Sequence, residues 1–239
     1  MSLFMAAKEC GLVGDASVVV SHEPAVLAAS LVEAELKRVG PGARLGVSGG
    51  SSMATLRVLR EQLPKALWAS LRLTWVDERL VPSSSPDSNR GEAFRQGVLS
   101  MEQPVQTLLA LVCDDESAED AVRRSTSFFN RDFGGALDVA LLGMGEDGHV
   151  ASLFPGHWAL SSKAPIVAID DSPKPPPNRL TMTFSVLAAP TVARIVVASG
   201  QSKKSALTRL VAGDRQLPSV QLGALSVVTD QQLTMRDKS

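Results

Sequence analysis

Along the chain, short β-branched apolar runs alternate with longer segments whose apolar positions recur at a helical spacing. Residues 16–21 predict a strand. Residues 23–39 predict a helix, with Val26, Leu27, Leu31, Ala34 and Val39 near a 3.6-residue period. The alternation continues with a strand over 44–48, a helix over 51–63 and a strand over 71–76. A polar loop over 82–89 and a short helix over 90–99 follow. Residues 117–129 predict a helix with Glu and Asp in its first turns, where the helix dipole favours them. Residues 137–142 predict a buried strand. Strands over 164–169, 180–184, 194–198 and 225–228 and a helix over 201–211 complete the pattern. Such alternation predicts an α/β fold, a mostly parallel sheet with helices on both faces.

With 239 residues, 44% of them hydrophobic, the chain can bury a sizeable core. One stretch reads like a linker, Ser172-Pro173-Lys174-Pro175-Pro176-Pro177. An inter-domain hinge there would leave a piece of about 60 residues, small for a stable domain. A stiff polyproline loop within a single domain spanning 1–239 is the preferred reading.

Charge narrows the partners. Lys plus Arg number 24 and Asp plus Glu 25, a net charge of −1. That balance carries no electrostatic footprint for nucleic acid or for an anionic membrane. A small anionic ligand remains compatible, because two or three placed cations suffice locally. The two cysteines, Cys10 and Cys113, lie far apart and lack metal-ligand spacing, which fits a reducing, cytoplasmic setting. Met1 to Cys10 lacks the apolar run of a signal peptide, and Arg236 to Ser239 matches no known targeting signal. No window approaches the roughly 18 apolar residues of a membrane span.

Four segments could carry chemistry. The first, Gly46-Val47-Ser48-Gly49-Gly50-Ser51-Ser52, lies between a strand and a helix. Glycines there let the backbone approach a ligand, and free N–H groups at a helix N-terminus favour phosphate. A plain tight turn is the competing reading. Gly46-x-Ser48-x-Gly50 also matches the nucleophile elbow of serine hydrolases, but only 47 residues precede Ser48 and the elbow usually follows several strands.

The second segment is Asp77-Glu78-Arg79 with Asp87-Ser88-Asn89, just past the strand over 71–76. In open α/β sheets ligands bind at the carboxyl ends of strands; a surface charge cluster is the alternative. The third runs from Gly143 through Gly145, Glu146, Asp147 and Gly148 to His149, continuing Val150-Ala151-Ser152-Leu153-Phe154-Pro155. Its literal G-x-G-x-x-G, with Asp170 about 20 residues on, admits a dinucleotide reading. Glu146 and Asp147 would then put two negative charges against a pyrophosphate. His149 supports another reading. A neutral imidazole at a strand end can take a proton from water, and Asp147 can hold its tautomer. The fourth segment pairs Arg179, after a proline run, with Lys203, after Gly200. Either could clamp a phosphate; singly, each reads as an ordinary surface charge.

Together these segments resemble the 6-phosphogluconolactonase family, in its order, over roughly residues 45–205. The matches are Ser48-Gly49-Gly50-Ser51, Asp77-Glu78-Arg79 with Val81-Pro82, and Pro86-Asp87-Ser88-Asn89. Gly143 through His149 running into Ser152-Leu153-Phe154-Pro155-Gly156, then Pro176-Pro177-x-Arg179 and Gly200-x-x-Lys203, complete them. Ser51-Ser52-Met53 departs from the family's more frequent serine-threonine-proline, and Lys204 stands where alanine is common.

The resemblance implies a Rossmann-like sheet shared with sugar-phosphate deaminases and isomerases. It also implies hydrolysis of 6-phospho-D-glucono-1,5-lactone to 6-phosphogluconate without metal or cofactor. His149 would act as base, Asp147 would orient it, and Asp77 would assist proton transfer or bind sugar hydroxyls. Ser48, Gly49, Gly50, Ser51, Arg79, Asn89, Arg179 and Lys203 would hold the substrate. The expected partner is this sugar phosphate alone, acted on by a monomer or small homo-oligomer. Amino-sugar 6-phosphate deaminases resemble the chain at the same loops, but typically continue after the histidine with phenylalanine-asparagine-glutamate-proline. Here that glutamate is missing. A non-catalytic sugar-phosphate sensor is the remaining alternative; such sensors carry a DNA-binding module, and no segment here supplies one.

Overall fold

Four consecutive strands of this protein are buried at nearly every position, the mark of a parallel sheet covered on both faces. The computed structural model describes residues 8–13 and 16–233, and burial from residue 16. Both terminal segments weighed for targeting signals therefore fall wholly or partly outside the described residues. In chain order the elements are β1 (Lys8–Val13), β2 (Ala16–Val20), α1 (Pro24–Val39), β3 (Arg44–Val47), α2 (Ser51–Gln62), α3 (Lys65–Ala69), β4 (Arg72–Trp75), β5 (Asp77–Arg79) and α4 (Asn89–Arg95). Then come β6 (Thr107–Leu109), α5 (Ala118–Phe133), β7 (Val139–Gly143), β8 (Ile166–Ile169), β9 (Arg179–Met182), α6 (Phe184–Leu187), β10 (Ala193–Val197), α7 (Lys204–Val211), α8 (Pro218–Gln221) and β11 (Leu225–Thr229).

The helices start and stop where local chemistry dictates. Pro24 opens α1, where its missing N–H costs nothing. The Ser117 hydroxyl caps α5 by accepting from the Asp120 N–H, and Gly134 ends it in the left-handed conformation. Ser88 caps α4 by accepting from Gly91 N–H at 3.0 Å. α3 is a five-residue helix behind Pro64 and β6 is a three-residue edge strand; neither has a clear sequence pattern.

The main sheet has the order β1-β2-β11-β10-β7-β3-β4-β6. Every pairing from β2 to β6 is parallel, and only β1 runs antiparallel, at the edge. α1 and α2 pack on each other and on β7, while α5 packs near β6 and the smaller sheet. Arg44 pins the start of β3 to that of β7 by donating to both Asp138 carboxylate oxygens, at 2.9 and 2.5 Å.

Residues 164–169 and 180–184, expected among the strands of the main sheet, lie elsewhere. They form β8 and β9, which join β5 in a separate antiparallel sheet of order β5-β9-β8. Val76 is the junction. Its N–H donates to Val47 of β3 at 2.9 Å, and its carbonyl accepts from Met182 of β9 at 2.7 Å. The chain thus leaves the main sheet at Val76, and the charged triplet that follows becomes a buried strand.

Chain order and space reverse between β3 and β7. From β3 the chain proceeds outward through β4 to β6, then returns to β7 on the other flank of β3 and proceeds through β10 to β11. At such a switch point the two loops leaving the carboxyl ends diverge and leave a crevice.

Candidate active site

The loops after β3 and β7 flank that crevice. It is a cleft of about 220 Å³ lined by Ser48, Gly49, Gly50, Ser51, Asp77, Arg79, Asn89, His149, Arg179 and Lys203, together with Gly143, Met144, Gly145, Ala151 and Lys174. Every residue singled out in the sequence for substrate contact is therefore in one place. Asp147 stands behind His149, bonded to it.

The loop after β3 reaches α2 through Gly50, whose φ of 64° is natural only for glycine. It delivers the first N–H groups of a 12-residue helix to the cleft. Ser51 Oγ donates to the Val197 carbonyl at 3.2 Å and ties the helix start to β10. Ser48 Oγ is buried with no hydrogen-bond partner among the described residues. A buried hydroxyl in that state has bonding capacity to offer a ligand.

The loop after β7 turns back tightly: Gly145 N–H donates to the His149 carbonyl at 2.8 Å. Asp147 Oδ1 and His149 Nδ1 meet at 2.5 Å, so Nε2 is the ring nitrogen left to move a proton. The ring packs against Phe154, with centroids 4.6 Å apart. Burial by itself would raise the Asp147 carboxyl. The bond and charge of His149, with a contribution from Lys174, outweigh it and hold Asp147 well below the usual carboxylate range. After His149 the chain forms turns and a short 3₁₀ segment, with no α-helix until α6. The glycine motif therefore lacks the helix N-terminus that a dinucleotide pyrophosphate needs.

Behind the cleft runs a buried polar chain. Asp77 Oδ2 accepts from Ser152 Oγ at 2.8 Å, and Ser152 Oγ accepts from Arg179 Nη1 at 3.3 Å. Asn89 Nδ2 donates to the Asp77 carbonyl at 2.9 Å, and its Oδ1 lies against Gly49. Glu78, next to Asp77, organises the loop over 82–89: its carboxylate accepts from the backbone N–H of Arg79, Asn89 and Arg90. Burial pushes the Glu78 carboxyl up, against the pull of those three donors.

Arg179 is the most committed cation. Its Nε donates to Pro176 O at 2.9 Å and its Nη2 to Lys174 O and Pro175 O at 2.9 and 3.1 Å. With the Ser152 bond, four of the five guanidinium donors are engaged and one N–H is left. Burial lowers the Arg179 pKa, opposed by the charge of Asp77. Lys174, which the sequence presented only as part of a stiff spacer, is an additional cation of the cleft. Its one sequence signal is a lone charge framed by prolines.

Residues 16–229 match the family model described as glucosamine-6-phosphate isomerases/6-phosphogluconolactonase. Rat 6-phosphogluconolactonase is 38% identical over 228 residues, covering 87% of this chain and 84% of the rat protein. The chain belongs to the glucosamine-6-phosphate isomerase/6-phosphogluconolactonase family. The 6-phosphogluconolactonase of Thermotoga maritima shares the family fold with a TM-score of 0.73 at 21% identity, over 90% of this chain and 97% of that one. A monomeric glucosamine-6-phosphate deaminase does so with a TM-score of 0.71 at 21% identity, over 91% and 97%. The family fold therefore hosts both chemistries, and the distinction must come from side chains. After His149 this chain places Ser152, bonded to Asp77, and Leu153, fully buried; no carboxylate stands between His149 and Pro155.

Proposed function

We propose that this protein hydrolyses 6-phospho-D-glucono-1,5-lactone to 6-phospho-D-gluconate, the second step of the oxidative pentose phosphate route, with His149 activating the water. The observation that carries the reading is His149, backed by Asp147, facing the same cleft as the Ser48 glycine loop. Similarity to 6-phosphogluconolactonases along most of the chain supports it.

The phosphate sits on the N–H groups of Gly49 to Ser51 and the Ser48 hydroxyl, with Lys203 and the remaining Arg179 N–H as cationic partners and Arg79 beside them. Asp77 and Asn89 receive sugar hydroxyls. His149 Nε2 takes a proton from water as its oxygen bonds to C1. The carbonyl π electrons move to oxygen and give a tetrahedral oxyanion. Its collapse breaks the bond between C1 and the ring oxygen, which leaves with the proton from His149 and becomes the C5 hydroxyl. Asp147 holds the ring's tautomer and balances the transient imidazolium. General base help of this kind contributes about 10²–10⁴-fold.

The test generates the lactone in place with glucose-6-phosphate dehydrogenase and follows NADPH from 6-phosphogluconate dehydrogenase. Faster second-phase NADPH with wild type, absent with His149→Ala, supports both the reaction and its base. No acceleration by wild type removes the lactonase reading.

We further propose a single domain that works in the cytoplasm as a monomer or small homo-oligomer. Among the described residues no helix is long and apolar enough to cross a membrane.

A further inference from the structure

We infer that Lys174 is the cation that stabilises the oxyanion at C1, an inference that rests on the lactonase reading. Four cations line the cleft: Arg79, Lys174, Arg179 and Lys203. Arg179 has one donor left, and Arg79 Nη1 is held by the Asp87 carbonyl at 2.6 Å. Lys174 and Lys203 form no ion pair among the described residues, so both ammoniums keep their capacity for a ligand. Lys203 follows β10, whose Val197 carbonyl holds Ser51 of the glycine loop, which puts it at the phosphate end.

Its backbone is mounted rigidly. Pro173 precedes it and Pro175, Pro176 and Pro177 follow, each with φ set by its ring. The Ser172 hydroxyl donates to the Lys174 carbonyl at 2.8 Å and accepts from the Lys174 N–H at 3.2 Å. Arg179 Nη2 clamps the same carbonyl at 2.9 Å. Ser172 N–H closes the turn on the Pro177 carbonyl at 3.2 Å. This fixation sets where the side chain leaves the backbone, and the less a cation's mount must move as negative charge develops, the smaller the reorganisation.

Lys174 stands on the His149 side of the cleft: Arg179, which clamps its carbonyl, lies 5.8 Å over the Phe154 ring, and His149 packs on that same ring with centroids 4.6 Å apart. There, water attack puts negative charge on the C1 oxygen next to the base. The phosphate has other partners, the glycine loop and Lys203.

The experiment compares wild type, Lys174→Gln and Lys174→Arg in the coupled assay, with melting temperatures and inhibition by inorganic phosphate measured in parallel. Lys174→Gln is expected to lower kcat by about 10²-fold, the usual effect of losing one oxyanion partner. KM and the inhibition constant of phosphate stay within about threefold, and Lys174→Arg recovers at least a tenth of wild-type kcat. A raised KM and phosphate constant with kcat unchanged would make Lys174 a phosphate ligand and overturn the inference. Unchanged kinetics would reduce it to a surface charge. If Lys174→Gln unfolds, the arginine variant decides: loss of kcat beyond tenfold in a folded Lys174→Arg also overturns it. Wild type inactive on the lactone, by contrast, refutes the lactonase reading itself.

Discussion

Ser152 Oγ donates to Asp77 Oδ2 at 2.8 Å and so joins two motifs 75 residues apart in the chain. The same hydroxyl accepts from Arg179 Nη1, and a neutral group thereby links a buried carboxylate to a buried guanidinium. Ser152→Ala takes a donor from the largely buried Asp77 carboxylate. We expect a loss of about 1–3 kcal/mol in urea unfolding at neutral pH, with a lower kcat as Asp77 and Arg179 lose their common anchor. Stability and kcat both equal to wild type would show the bridge to be idle.

His149→Ala should lower kcat by about 10²–10⁴-fold with an unchanged circular dichroism spectrum, since the ring contributes one face to Phe154 and is not a core side chain. Asp147→Asn should also lower kcat, by roughly 10²-fold or more, because an amide offers the ring no negative charge. Full activity in either variant strikes that residue from the mechanism.

A methyl group on Gly145 would overlap His149 Nδ1 and Asp147 Oδ1. Gly145→Ala should therefore cut kcat at least tenfold by displacing the dyad, while the cooperative unfolding transition persists. Retained kcat would mean that the loop relaxes without moving the imidazole.

Acid should destabilise this protein through identifiable carboxylates. Burial raises Asp138 and Asp147, but Arg44 and His149 respectively outweigh it and hold both below the usual range. Arg124 does the same for Glu116, opposed by burial. Each of the three binds its proton less readily in the folded state. The unfolded chain therefore carries more protons in acid, and stability falls as pH falls. Their contribution is complete above about pH 5 and disappears as pH drops through 4 towards the folded pKa values. Glu78, raised by burial, acts oppositely and costs stability as pH rises above its ordinary 4.5. Urea midpoints between pH 3 and pH 7 check the balance. Asp138→Asn should flatten the acid decline; a midpoint independent of pH from 5 to 3 would refute the assignment.

Much of this molecule can be read from its residues. The 3.6-residue period and Pro24 mark α1, and Ser117 with its acidic first turn marks α5. The apolar runs of β3, β7, β10 and β11 mark buried strands. Asp77-Glu78-Arg79 is harder: three charged residues have poor strand propensity, and they form β5 because β9 pairs with them. The strands expected over 164–169 and 180–184 are β8 (Ile166–Ile169) and β9 (Arg179–Met182), with Phe184 opening α6 instead, yet nothing local distinguishes a strand of the main sheet from one of the small antiparallel sheet. Lys174 escaped notice among prolines that read as a spacer, because the bond that fixes its backbone beside the cleft comes from Arg179.

The linear chain determined which segments form strands and helices, where glycines allow tight turns, and that Asp147 and His149 stand two residues apart on one loop. These are local matters, set by side-chain period, backbone freedom and capping. Only the tertiary structure decided that β3 and β7 are neighbours at the switch point. It also brought Asp77, Ser152 and Arg179 into one hydrogen-bonded chain and set Lys174 on the wall of the cleft. An apolar residue's pattern states that it must be hidden and not against which partner. Strand order and polar contacts between distant residues are settled only when the whole core packs and most buried donors find acceptors.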